Sequence, residues 1–240
     1  MSVAPPHTSV FYTTAQGALV ARLLRQRLLR LCPPRPGLAV LGIGHPFPYL
    51  RPYLSPGQRP ASVAVTLAQA GAVPWPAEAA GLSCTAEEDS LPFADLSFDR
   101  VLIVHGLEAA EAPRRLLREV WRVLRDDGRL IVVAPNRRGL WAFADSTPFG
   151  QGQPFSPSQI TRLLSESMFH IERRDTALFV PPLQWRLVMR GARAWERTGR
   201  ALAPQLAGVT LTEAIKDSYA AIGMPAKARM RRRYVMVPSS

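Results

Sequence analysis

His105 stands at the carboxyl end of an apolar run, Arg100–Val104 (RVLIV), where a ligand-binding rim would form. Histidine is the ordinary proton carrier at neutral pH, so acid–base work is one reading. Packing is the other. Asn136 follows a second run, Leu130–Ala134 (LIVVA), and would present an amide on the same rim. Asn136-Arg137-Arg138 reads equally as a turn carrying surface charge. Gly42-Ile43-Gly44-His45 closes a third run, Leu38–Ile43 (LAVLGI); glycines there suit a tight turn and close approach of backbone to a ligand. Glu87, Glu88 and Asp89 form an acidic triplet after a weak strand, Leu82–Thr85. Cys32 and Cys84 match no metal or redox spacing, so no metal site is expected; they read as unpaired thiols of a reducing cytoplasm.

The elements that would position these residues alternate. Residues 15–31 predict an amphipathic helix with Leu19, Leu23, Leu24 and Leu28 on one face, stopped by the prolines at 33–36. Strands are expected at 38–43, 62–66, 82–85, 100–104 and 129–134, parallel to one another, with two further strands near 170–180 and 208–216. A helix is expected over 113–125, with Gly128 as a left-handed cap beyond it. Ser156-Pro157-Ser158-Gln159 is a capping box opening another helix. Residues 184–202 predict one basic helix. Strand–helix alternation of this kind means an α/β sandwich whose ligand sits at the carboxyl ends of the strands.

Leu91-Pro92-Phe93, Ser97-Phe98-Asp99, the RVLIVHGLE strand end and LLREVWRVLRDDGRLIVVAPN together resemble the methyltransferase type 11 group. These are class I S-adenosylmethionine-dependent methyltransferases. The likeness is specific over Glu87 to Phe169 and weaker over residues 10–220. It is nearest to alphaproteobacterial members sharing NRRGLWAFADSTPFG-like and RAWE-like stretches. The resemblance implies a Rossmann-like seven-stranded methyltransferase sandwich, α/β, with a mainly parallel sheet and an antiparallel C-terminal strand pair. It implies S-adenosylmethionine as cofactor and an unidentified, small-molecule methyl acceptor. It places Gly42, Gly44, His45, Thr66, Glu87, Glu88 and His105 at the cofactor. There Glu87 or Glu88 accepts the adenine amino group, and His105 lies near the sulfonium. His105 and Asn136 are the catalytic candidates. Residues 139–155 and 180–205, with Trp141, Phe143, Phe149, Phe155 and Trp185, would cover the site.

The cofactor loop departs from the family pattern. Gly42 stands where an acid is expected, and Gly44 matches the first glycine. Pro46 and Pro48 replace the second and third. Proline fixes φ and removes an N–H donor, and a segment this rich in it is not expected to start a normal helix. Thr66 takes the place of the acid that holds the ribose, and none follows until Glu78. The site is therefore expected to bind S-adenosylmethionine weakly or to have lost it. The alternative is a catalytically inactive protein of this fold, serving as a binding or regulatory partner through its basic C-terminal quarter.

Composition sets the outer limits. The 240 residues are 47% hydrophobic and 20% charged, which excludes global disorder and a disulfide-stapled miniprotein. No apolar run is long enough for a transmembrane helix, and residues 1–6 do not read as a signal peptide. Residues 1–225 are expected to form a single domain with a basic helical insertion at 181–205, followed by a flexible basic tail at 226–240. The net charge of +12 is concentrated late in the chain. Arg186, Arg190, Arg193, Arg197 and Arg200 recur at helical spacing and predict one basic face. An acidic protein partner or an anionic membrane surface suits it. Nucleic acid is the poorer fit, because Tyr234 is the one aromatic near Lys227–Arg233.

Overall fold

The apolar run behind the proline cluster becomes the centre of a sheet. The computed structural model of the chain describes residues 7–54, 62–71, 73–76, 81–183 and 186–217. Its strands are β1 (Val40–Gly44), β2 (Val63–Leu67), β3 (Ser83–Ala86), β4 (Phe98–Val104), β5 (Leu124–Pro135), β6 (Phe169–Ala177) and β7 (Val209–Lys216). They form one seven-stranded sheet in the order β3-β2-β1-β4-β5-β7-β6. β1 is buried at every position and hydrogen-bonds in parallel with β2 and β4, pairing Ile43 with Val65 and with Ile103. β4 and β5 continue the parallel part. β7 runs antiparallel between β5 and β6. The expected fold class, including the antiparallel C-terminal pair, is the one observed.

The helices are α1 (His7–Thr13), α2 (Ala15–Leu31), α3 (Phe47–Leu50), α4 (Pro113–Val123), α5 (Pro157–Glu166), α6 (Arg186–Arg190) and α7 (Ala192–Leu202). Alternate strand residues feed two apolar clusters on opposite faces. Val40, Leu102, Val104, Ile131 and Val133 join Leu24 and Leu28 of α2. Leu41, Ile43, Val101, Ile103 and Val132 join Leu116, Leu117 and Val120 of α4. The stripe expected on α2 is the buried one, and Thr14 caps it by accepting from the Gly17 amide at 3.0 Å. The capping box at Ser156 and Gln159 is present in both directions.

Three local expectations are corrected. α4 stops at Val123, and Gly128 is not a left-handed cap but lies inside β5. A Cβ there would come within 2.7 Å of the Leu124 side chain, so room rather than φ demands the glycine. β6 ends at Ala177, because Leu178 turns into left-handed backbone (φ 63°). The single basic helix is broken at Gly191 into α6 and α7. The tail at 226–240 and Trp185 lie outside the described residues. Among the described residues no helix is long and apolar enough to cross a membrane.

Candidate functional site

The carboxyl ends of β1, β2 and β4 meet at one rim, and backbone locks them together. Gly44 has φ 90°, and a Cβ on it would press into the Val104 carbonyl and the Gly106 amide. The next residue, His45, donates its amide to Val104 O at 2.7 Å. The chain then turns straight into α3, whose first turn carries Pro46 and Pro48. No normal helix follows, as the prolines lead one to expect, but they do not forbid a first turn. In a first turn the N–H groups have no intrahelical partner, so their loss is tolerated and the fixed φ suits the helix. The helix is only four residues long and passes into a 3₁₀ turn, Arg51–Tyr53.

Gly42 is placed under that turn. A Cβ on it would sit 2.5 Å from Pro46 Cβ and 2.7 Å from Leu50 Cδ1. The proline ring and Leu50 thus cover Gly42, which offers no surface to a ligand. The position that the resemblance assigns to a cofactor acid is filled by packing.

A buried polar chain crosses the same rim. His105 adopts left-handed backbone (φ 53°) and is buried. Its Nδ1 is 3.1 Å from Glu108 Oε1, and its Nε2 is 2.8 Å from Tyr12 Oη. Tyr12 Oη is 2.8 Å from Tyr49 Oη. One proton arrangement satisfies all four groups. His105 Nδ1–H donates to the Glu108 carboxylate, Tyr12 donates to His105 Nε2, and Tyr49 donates to Tyr12. Burial pushes the Tyr12 phenol well above its ordinary pKa, with Tyr49 adding to the effect. Burial also raises Tyr49. Both therefore act as neutral hydrogen-bonding groups. Glu108 Oε2 is buried without a hydrogen-bond partner among the described residues.

Tyr12 also stacks on His45, ring centroids 5.1 Å apart and planes 10° from parallel. Phe47 also meets the His45 ring in an edge-to-face arrangement, centroids 5.0 Å apart. Enclosed this way, His45 has its pKa lowered to about 3 by burial, with repulsion from His105 second. α1 thus lies over the strand ends. What remains beneath it is a cavity of about 70 Å³ lined by Gly44, His45, Thr66, Leu67, His105 and Ala109, with Thr8 and Ser9 of α1.

The acidic candidates divide. Both oxygens of Glu88 are taken, accepting the backbone amides of Glu111 at 2.6 Å and Ala112 at 2.7 Å. This buried carboxylate caps α4, so it is corrected from ligand acceptor to structural cap, and Glu87 is the exposed acid left at the rim. Glu88→Gln should lower stability by about 2–4 kcal/mol in urea unfolding, since two charge-assisted bonds of roughly 1.5–3 kcal/mol each are weakened. Glu87→Ala should stay within about 0.5 kcal/mol of the parent. Equal effects at the two positions would refute this division.

Asn136 is corrected as a catalytic candidate. Its amide nitrogen donates to Gln205 O and Ala207 O at 2.9 and 2.8 Å, and its oxygen accepts from the Arg138 amide. It ties the end of β5 to the turn before β7 and has no group free for chemistry. Thr66 is buried at the end of β2, its hydroxyl 3.5 Å from Cys84 O. Trp141 and Phe149 are core residues packed on Phe11. Phe143 is exposed and Phe155 half-buried. Tyr12, Tyr49 and Glu108 were not anticipated. The spacing of Glu108 three residues after His105 was the one usable signal.

The fold is that of a class I methyltransferase. A SAM-dependent methyltransferase from Thermotoga maritima superimposes with a TM-score of 0.56 at 16% identity, over 87% of this chain and 94% of that one. A chain of the complex between the Haloferax volcanii Trm112 methyltransferase activator and its companion methyltransferase gives 0.56 at 16%, over 84% and 92%. The [4+2]-cyclase SpnF gives 0.52 at 18%, over 82% and 80%. Residues 59–132 match the family profile described as a methyltransferase domain. That stretch runs from before β2 into β5 and leaves out the Gly42–Pro48 loop. A 42-residue stretch is 55% identical to the uncharacterised protein YafS of Escherichia coli K12, spanning 18% of either chain.

Proposed function

We propose that the chain is an S-adenosylmethionine-dependent methyltransferase with a rebuilt cofactor loop, acting on a small-molecule acceptor in the reducing cytoplasm that its unpaired cysteines suit. The observation that carries the reading is the cavity at the carboxyl ends of β1, β2 and β4, within the methyltransferase sheet order. The residues present suit an adenosine better than an amino acid. Leu67, Ala70 and Val73 offer apolar surface and Thr66 a hydroxyl, with Glu87 exposed at the rim. At the other end Pro46 and Pro48 lack N–H donors, the His45 amide is already bonded, and Tyr12 covers the ring of His45. The cofactor would rest on Gly44, His45, Thr66, Glu87 and His105.

When bound, the cofactor supplies an electrophilic methyl group on a sulfonium. Methyl transfer relies on proximity and alignment rather than an obligatory nucleophile. The chain's own part is to exclude water with α1 and to take a proton from the acceptor. His105 Nε2, oriented by Glu108, is the group placed to do that once Tyr12 gives up its bond.

A second reading is favoured by the small cavity. At about 70 Å³ it is well below the roughly 300–1,000 Å³ of ordinary ligand pockets, which fits a protein of this fold that has lost the cofactor.

Calorimetric titration with S-adenosylmethionine and S-adenosylhomocysteine separates the two. The parent should bind more weakly than about 1 µM. Thr66→Asp should tighten binding roughly tenfold or more, the worth of one charge-assisted hydrogen bond, and Glu87→Ala should weaken it. No heat from either ligand, with the parent and with Thr66→Asp, leaves the binding-protein reading. Micromolar or tighter binding by the parent overturns the weakening assigned to the prolines.

A further inference from the structure

Two neighbouring rings of α1 have different tasks. Phe11 and Tyr12 diverge, with centroids 5.3 Å apart and planes 80° from parallel. Phe11 is buried against Trp141 and Phe149 and holds the helix down. Tyr12 is half-buried as a residue, and its hydroxyl reaches the groups that follow β4 and begin α3.

The surroundings of that ring have the form of a ligand slot. The Tyr12 ring lies parallel to His45. Tyr49 closes a side edge-on, with centroids 6.1 Å apart and planes 88° from parallel. The His105 ring stands tilted to it at 5.9 Å. The Tyr12 hydroxyl is 2.8 Å from both His105 Nε2 and Tyr49 Oη. His45, Tyr49 and His105 belong to the strand ends and α3, so they stay behind when α1 lifts. His45 and His105 also line the cavity of about 70 Å³, so the slot adjoins the space assigned above to the cofactor.

We propose that Tyr12 occupies the place of a phenol ligand, whose ring would lie on His45 with its hydroxyl between His105 and Tyr49. That the phenol is also the methyl acceptor rests on the methyl-transfer reading; the phenol site itself does not. The parallel face of His45 selects a planar ring. The polar end selects a group that both gives and takes a hydrogen bond, as Tyr12 does toward His105 and Tyr49. A carboxylate donates nothing, and an ammonium accepts nothing. An alkanol does both, but it lacks the ring and is a far weaker acid. Roughly 3.5 pK units separate an ordinary phenol from an imidazole, against about 9 for a hydroxyl as weak as that of water. The smaller gap is the one a histidine base can bridge at neutral pH.

The chemistry then balances. The phenol O–H bond breaks and its proton passes to His105 Nε2. The imidazolium so formed is held by the Glu108 carboxylate, 3.1 Å from Nδ1. The phenolate electron pair forms the O–C bond to the methyl carbon of S-adenosylmethionine. The C–S bond breaks, and its pair stays on sulfur, which becomes a neutral thioether.

Binding of simple phenols tests the slot without the cofactor. In the full chain carrying meta-fluorotyrosine, para-cresol should displace Tyr12 and shift its fluorine resonance, identified by its loss in Tyr12→Phe. Toluene, which has no hydroxyl, should not. Calorimetric titration of Tyr12→Ala should show para-cresol bound about tenfold or more tighter than by the parent, whose own ring competes. Tyr12→Ala should prefer para-cresol to toluene roughly tenfold or more, as the hydroxyl's two bonds require. Adding His105→Leu should abolish that preference. Should Tyr12→Ala fail to fold, fluorine displacement in the parent decides. The proposal is overturned if para-cresol leaves the Tyr12 resonance in place, if toluene binds Tyr12→Ala as tightly, or if the preference survives His105→Leu. Selective phenol binding with no heat from S-adenosylmethionine would keep the phenol site and sink the methyl-transfer reading instead. If the cofactor does bind, Tyr12→Ala should convert para-cresol to its methyl ether, and a loaded protein that forms none overturns the acceptor role.

Discussion

Gly42→Asp lowers the stability of the chain by about 3–5 kcal/mol, although it restores the acid of the family pattern; overpacking contributes roughly 1–3 kcal/mol and an unpaired buried carboxylate the rest. The new Cβ has nowhere to go. Pro46 Cβ would lie 2.5 Å away and Leu50 Cδ1 2.7 Å away, on a strand paired on both sides. The neighbour responsible can be removed. Pro46→Gly clears the nearer obstruction and opens a route for water to the carboxylate. Gly42→Asp combined with Pro46→Gly should therefore be less destabilised than the sum of the two singles by about 1 kcal/mol or more. Urea unfolding of the four proteins measures that coupling. A Gly42→Asp protein within about 1 kcal/mol of the parent would show that α3 does not bear on β1 as described.

The second large effect is with pH. The fold holds His45 neutral down to about 3, because it is enclosed by Tyr12 and Phe47 and repelled by His105. The unfolded chain takes up that proton near the ordinary value of about 6.5. Above about 6.5 the group is neutral in both states and stability is whole. As pH falls from there toward 3 the unfolded state gains a proton that the folded state refuses, so stability is lost progressively. The slope approaches 1.36 kcal/mol per unit, which gives a loss of roughly 2 kcal/mol by about pH 5. His105 is the second cause of that lowering, after burial. His45→Phe keeps a ring against Tyr12 and should remove this slope. Denaturation midpoints of the two proteins between about pH 7.5 and 5 should diverge on the acid side, and parallel curves would discard the assignment.

The sheet was legible because it depends on a short-range property. A run such as Leu38–Ile43 is apolar at nearly every position, and only a strand covered on both faces needs that. The capping box at Ser156 was legible for the same reason, since its partners lie three residues apart. The site was legible only in outline. His105 and Gly44 do stand at the strand ends, but their partners come from distant parts of the chain: Tyr12 is 93 positions from His105. No local pattern encodes such a pairing. Glu88 was misjudged because a carboxylate beside a rim suits either a ligand or a helix end. The choice lay with the Glu111 and Ala112 amides, more than twenty positions on. The basic stripe was misjudged because spacing alone says nothing about a break at Gly191.

The place of α1 over the strand ends has a consequence in time as well as in space. On the reading proposed above, a ligand larger than the roughly 70 Å³ void reaches the strand ends only after Tyr12 has left His45 and His105. At low concentration such a ligand waits on collision. At high concentration it waits on the helix, and the observed association rate levels off at the rate of lifting. The apparent dissociation constant is the intrinsic one divided by the fraction of molecules already open. Loosening Phe11, which pins α1 to Trp141 and Phe149, would then speed capture without altering any group that touches the ligand.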